Sequence, residues 1–114
     1  MEVEEIKVPL RDVRKTIKEF YEEDKWHFIT VNAVDLGGKV ELKWFFSPYG
    51  EKERFRVVVS EASYDEEIPT ITYLIPSAWI SEWELADLFG LNVEGAKTGL
   101  FLEPDSPKAP LRRG

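Results

Sequence analysis

The chain has 114 residues, a formal net charge of −7, no cysteine and one histidine. Its length suits a single domain, its 43% hydrophobic and 32% charged fractions are globular values, and no apolar run approaches the roughly 20 residues needed to cross a bilayer. The acidic balance argues against a nucleic-acid partner, and the missing cysteines exclude disulfides and thiolate metal sites.

The acidic start MEVEEIKV lacks a cationic, apolar secretory signal, which points to a cytoplasmic chain. Glu4 to Val8 alternates weakly before Pro9, as a short strand or extended lead-in would. From Leu10 to Trp26 the apolar Leu10, Val13, Ile17, Phe20 and Tyr21 recur at spacings of three and four, which predicts an amphipathic helix packed on one face. Three β-like runs follow, His27 to Asp35, Lys39 to Phe46 and Arg54 to Ser60, separated by the turn chemistry of Gly37-Gly38 and Ser47-Pro48-Tyr49-Gly50. They predict an antiparallel meander. Val40, Leu42, Trp44 and Phe46 share one face of the second strand; in the third, Phe55, Val57 and Val59 oppose Arg54, Arg56 and Val58. An acidic loop, Glu61 to Glu67, leads to Ile68-Pro69-Thr70-Ile71-Thr72-Tyr73-Leu74-Ile75-Pro76, whose prolines confine it to a sheet edge or non-sheet structure.

The stretch SAWISEWELADLFG, Ser77 to Gly90, predicts a short helix closed by Gly90. Ser81-Glu82-Trp83-Glu84 has the form of a capping box, with Ile80 and Leu85 placed as a hydrophobic staple. Leu85, Leu88, Phe89, Ala86, Trp79 and Trp83 cover more than half of the circumference, leaving Asp87, Glu84 and Ile80 on the remainder. Glu82 falls inside the apolar arc. A carboxylate there should meet an arginine or a backbone donor, and the prediction is an arginine, either Arg54 or Arg56 on the third meander strand or one from a partner. A catalytic carboxylate pair drawn from Glu82, Glu84 and Asp87 lacks a His, Cys or Lys to complete it, and His27 has no companion for a metal. Beyond Gly90 the chain is mostly Gly, Pro and small residues with an apolar interruption at Leu100-Phe101-Leu102 and a basic end at Arg112-Arg113, which predicts an extended docking tail over 91–114 after a domain over 1–90.

Ile68-Pro69-Thr70-Ile71, Pro76-Ser77-Ala78, Glu82-Trp83-Glu84, Asp87-Leu88-Phe89-Gly90, Phe101-Leu102-Glu103-Pro104 and Pro110-Leu111-Arg112 resemble, in order and spacing, the 30-kDa subunit family of respiratory complex I. The short length resembles the compact form found in energy-converting membrane-bound nickel–iron hydrogenases. Trp83 stands where the family usually has arginine, and Gly95-Ala96-Lys97-Thr98-Gly99 replaces a basic His-Pro-x-Leu-Arg-Arg element. The resemblance implies an α+β domain in which the antiparallel meander packs against an N-terminal helix and a short C-terminal helix. It implies a structural subunit of the peripheral arm, on the cytoplasmic face of the membrane, with no cofactor of its own. Iron–sulfur clusters, and a nickel–iron centre in the hydrogenases, would reside in partner subunits. The partners implied are the large catalytic subunit and iron–sulfur subunits, with contact to the membrane arm only indirect. Trp79, Glu82, Trp83, Glu84, Asp87, Phe101, Leu111, Arg112 and Arg113 are then the candidate docking residues. The alternatives from other classes are a small-ligand binding module and a free-standing carboxylate-dependent enzyme. The Glu- and Lys-rich, Gln-free composition is one often seen in proteins from hot environments.

Overall fold

The computed structural model describes residues 2–51 and 53–96. The fold is α+β, with four strands in one sheet ordered β1 (Glu2–Lys7), β4 (Arg54–Ser63), β3 (Lys39–Pro48) and β2 (Trp26–Asp35). The predicted meander is present, since β2–β3 and β3–β4 are antiparallel. The lead-in is a full strand, and it pairs with β4 in parallel, from Glu2 opposite Arg54 to Lys7 opposite Val59. The chain therefore starts at one edge of the sheet, crosses beneath it and returns strand by strand to its own first strand.

That crossing explains why the first helix is shorter than its periodicity suggests. Three strand spacings separate β1 from β2, about 14 Å, and the eight residues of α1 (Val13–Phe20) rise about 12 Å. A single 3₁₀ turn, Leu10–Asp12, precedes α1. Tyr21 is already extended at φ −72°, ψ 126°, and a turn over Glu22 to Trp26 delivers the chain into β2, so the helix does not continue to Trp26. The predicted apolar face is the one buried, with Val13 and Ile17 fully inaccessible.

Gly37 and Gly38, at φ 80° and 93°, form the two-residue connection of the β2–β3 hairpin, closed by the Leu36 N–H to Lys39 carbonyl bond at 2.8 Å. In β2 the register slips by one residue between Phe28 and Thr30. The bulge lets Phe28 and Val31, three apart, both reach the core.

Val40, Leu42, Trp44 and Phe46 are buried on the face that both helices cover. On β4 the predicted alternation holds, and the structure shows which face is inward. Val58 lies opposite Trp44 and Ala62 opposite Val40, so these residues enter the core, whereas Val57 and Val59 sit opposite Phe45 and Lys43 on the other face. The run Val57-Val58-Val59 is apolar on both sides, and alternation alone could not choose between them. β4 also continues to Ser63, absorbing the first part of the acidic loop.

Of the segment from Ile68 to Pro76, only Ile68 joins a strand, in the short β5 (Glu67–Ile68). Ile71 to Ile75 is a turn, with the Ile71 carbonyl accepting the N–H groups of Leu74 and Ile75. A 3₁₀ turn, Pro76–Ala78, runs directly into α2 (Trp79–Phe89), which Gly90 ends in the left-handed conformation at φ 66°. After it comes β6 (Asn92–Val93), parallel to β5. Leu91 to Ala96, expected as the start of the tail, thus packs on the domain, with Leu91 and Val93 buried in the core. The rest of the expected tail, 97–114, lies outside the described residues. Among the described residues no helix is long and apolar enough to cross a membrane.

Candidate docking site

The stretch around α2 carries the motif residues, and its local structure departs from the expected capping box. Because the Pro76–Ala78 turn feeds helical backbone into Trp79, Ala78 is the N-cap residue and makes no side-chain cap bond. Ser81 is inside the helix, and its hydroxyl donates back to the Ala78 carbonyl at 3.3 Å. Glu84 is exposed and does not close a box, and Ile80 is exposed rather than stapled. Proline at the first position of the turn, where no N–H is needed, replaces the polar cap.

Glu82 is 3% exposed, as its place in the apolar arc requires. Its partners are a backbone donor and a hydroxyl, and neither Arg54 nor Arg56 reaches it. Thr70 Oγ1 donates to Oε1 at 2.6 Å and the Ile71 N–H donates to Oε2 at 2.8 Å. Arg54 pairs with Glu51, and Arg56 with Glu4. Burial pushes the Glu82 carboxyl above the usual carboxylate range; the Thr70 and Ile71 bonds oppose this, the Glu94 charge adds to it and Arg14 counters it. Thr70 Oγ1 also accepts the Thr72 N–H at 3.1 Å and lies 2.8 Å from Thr72 Oγ1. Glu82 therefore ties α2 to Thr70 and Ile71, twelve and eleven residues upstream, where the turn over Ile71 to Ile75 begins.

Asp87, expected on the polar side of the helix, is 2% exposed and also lies within the fold. The three carboxylates of α2 are thus separated by environment: Glu82 and Asp87 are buried and Glu84 faces solvent.

What α2 and its turn do present is aromatic. Tyr73, Trp79 and Ile80 are 58%, 44% and 49% exposed. Trp79 meets the half-buried Trp83 edge to face, with centroids 5.7 Å apart. Arg14 lies over Tyr73, its guanidinium 5.2 Å from the ring centre, while its Nη2 donates to Glu94 at 2.8 Å. Beside this pair a concavity of about 410 Å³ is lined by Leu10, Arg11, Arg14, Glu66, Glu67, Pro69 and Glu94.

Of the candidate docking residues, Trp79, Glu82, Trp83, Glu84 and Asp87 therefore lie on one helix, and only Trp79 and Glu84 are exposed. Phe101, Leu111, Arg112 and Arg113 lie outside the described residues. Thr70, Tyr73, Ile80, Arg14 and Glu94 were not foreseen as part of the site. The signal for Thr70 was a hydroxyl residue inside an otherwise apolar, proline-bounded segment. None existed for the Arg14–Glu94 pair, whose members are 80 residues apart.

Residues 6–114 match the family described as "Respiratory-chain NADH dehydrogenase, 30 Kd subunit". Among solved structures, a chain of the membrane-bound sulfane sulfur reductase, described as an archaeal respiratory membrane complex, is similar with a TM-score of 0.79. The identity is 23%, over 97% of this chain and 68% of that one, and the likeness is one of fold. Comparison with curated proteins gave no match.

Proposed function

Since the chain belongs to the respiratory-chain NADH dehydrogenase 30-kDa subunit family, we propose that it is a non-catalytic structural subunit of the peripheral arm of a membrane-bound, complex I-like oxidoreductase. In this reading it buttresses the large catalytic subunit from the cytoplasmic face of the membrane. The redox centres, iron–sulfur clusters and in a hydrogenase nickel–iron, belong to that subunit and its iron–sulfur partners. The fold shared with a chain of a respiratory membrane complex supports the setting.

The observation that carries the structural role is the division of labour on α2. Its buried carboxylate Glu82 has both oxygens committed to Thr70 and Ile71, so it braces the helix. The exposed Tyr73, Trp79 and Ile80 are then presented on a fixed support, the arrangement expected of interface anchors. Glu84, exposed on the same helix, is proposed to meet a basic group of the partner. Phe101, Leu111, Arg112 and Arg113 are proposed as further contacts.

The test is purification of the tagged full chain from its native membrane, with metal analysis of the whole preparation. A large catalytic subunit and iron–sulfur subunits in fixed stoichiometry, with all metal assigned to them, would support the proposal. Recovery of the chain alone, carrying metal or turnover of its own, would overturn it and favour the independent enzyme.

A further inference from the structure

Beneath the aromatic surface lies a chain of three side chains whose hydrogen-bonding capacity is filled in two different ways. Thr70 Oγ1 has one proton and two lone pairs, and it faces three polar neighbours besides its own backbone: Glu82 Oε1 at 2.6 Å, Thr72 Oγ1 at 2.8 Å and the Thr72 N–H at 3.1 Å. With Glu82 ionised, Thr70 donates to the carboxylate and accepts from both groups of Thr72. With Glu82 protonated, the acid donates to Thr70, which still accepts the Thr72 N–H and now donates to Thr72 Oγ1. Both arrangements leave the Thr70 hydroxyl fully used, and the heavy atoms need not move between them.

We propose that Glu82, Thr70 and Thr72 form a reversible proton-holding relay, through which the buried carboxylate takes up and releases one proton while the chain remains folded. In uptake, a hydronium ion from solvent gives a proton to Thr72 Oγ1 and leaves as water, the Thr72 hydroxyl proton passes to Thr70, and the Thr70 hydroxyl proton passes to Glu82. Each hydroxyl loses one proton and gains one, and the carboxylate becomes a carboxylic acid. Release runs in reverse. Ile71, whose N–H holds the second carboxylate oxygen, anchors Glu82 in both states.

The surroundings suit such a site. Glu82 is buried in the first turns of α2, while Thr70 and Thr72 are both partly exposed residues, so the relay joins the carboxylate to the surface. The charged groups acting on it from the packed elements are Arg14 on α1 and Glu94 beyond β6, which bond to each other and so largely cancel, leaving burial as the main influence. Asp87 lies farther along the same helix. The inference goes beyond the docking role and does not depend on it, because it concerns the chain by itself.

The two hydroxyls make opposite predictions. Thr70→Val removes a donor that the ionised carboxylate uses most, so it raises the Glu82 titration midpoint. Thr72→Val removes the acceptor that Thr70 needs only when Glu82 is protonated. An unused donor costs more than an oxygen with one acceptor slot vacant, so this change lowers the midpoint. The experiment is a carbon-13 titration of the side-chain carboxyls in the full chain, with Glu82→Gln identifying the signal and the amide spectrum reporting the fold. Expected are a wild-type midpoint above that of ordinary glutamates, an unchanged amide spectrum, and shifts of about half a pH unit or more in opposite directions for the two variants. A midpoint at or below the ordinary range, titration only together with unfolding, or shifts that are absent or of one sign would overturn the relay. Should Thr70→Val fail to fold, Thr70→Ser restores the hydroxyl and Thr72→Val decides alone: a lowered midpoint supports the relay, and a raised or unmoved one refutes it.

Discussion

The Arg56 guanidinium lies over the ring of Trp26, 4.5 Å from its centre. The same group stands 4.8 Å from the centre of Phe20 and its Nε donates to Glu4 at 2.6 Å, so one side chain joins β1, β4, the end of α1 and the start of β2. Stacking against two aromatic rings contributes more than the pair with Glu4, whose carboxylate is half exposed. Arg56→Ala should lower stability by about 1–3 kcal/mol, and Arg56→Lys should recover only part of it because ammonium lacks the stacking plane. Glu4→Gln should cost less than about 1 kcal/mol. Denaturant melts of the three variants check the ranking; equal losses for Glu4→Gln and Arg56→Ala would show that the ion pair dominates.

Glu82 separates the effect of shape from that of charge. Glu82→Ala leaves the inaccessible Ile71 N–H and the Thr70 hydroxyl without their acceptor and should cost about 2–4 kcal/mol. Glu82→Gln can accept from Ile71 and donate to Thr70, copying the protonated acid, and should stay within about 1 kcal/mol of wild type at neutral pH. Because the folded-state pKa is raised, the native chain binds the proton more tightly than the unfolded one. Stability from this group is therefore fully present below the unfolded value, is lost as pH rises to and through the folded value, and is then level. The stability difference between wild type and Glu82→Gln, followed by melting across acidic to neutral pH, should fall in that sense; a wild type gaining on the variant as pH rises would contradict it.

How much of this was legible in the sequence depended on how local the cause was. The helix face of Val13 and Ile17, the hairpin at Gly37-Gly38, the core face of β3 and the closure of α2 at Gly90 follow from residue type and spacing within a few positions, and each is present. The length of α1 was set by the width of the sheet it crosses, and the parallel seat of β1 by pairing partners some 50 residues away. Ser81 and Glu84 carry the letters of a capping box, but Pro76 had already started helical backbone upstream. Periodicity placed Glu82 inside correctly and could not name its partner, because burial is a property of the helix face while Thr70 and Ile71 belong to another segment.

Gly90 offers a check on the local part. Its φ of 66° costs an L side chain about 1 kcal/mol or more, so Gly90→Ala should destabilise by roughly 1–2 kcal/mol and Gly90→Asn by less, since asparagine tolerates this region better. Thermal melts decide it, and a neutral Gly90→Ala would mean that the helix end adapts.

The docking reading is most sharply tested at Ile80. It is half exposed in the first turn of α2, where the helix dipole favours an acidic side chain while Glu84 one turn on repels it, so Ile80→Asp should leave the isolated chain within about 0.5 kcal/mol of wild type. At the centre of an apolar interface the same change buries an unpaired carboxylate beside Trp79 and should weaken association by about 2 kcal/mol or more, roughly thirtyfold. Trp79→Ala removes the larger anchor, and its effect on association should be at least as great, with some loss of packing on Trp83. The measurement is a pair for each variant, the melting temperature of the purified chain and its yield in the complex recovered from the membrane. For Ile80→Asp an unchanged melt with a depleted complex is the expected outcome, and for Trp79→Ala a slightly lowered melt with a depleted complex. Full recovery of the complex with Ile80→Asp would place the partner elsewhere on the domain.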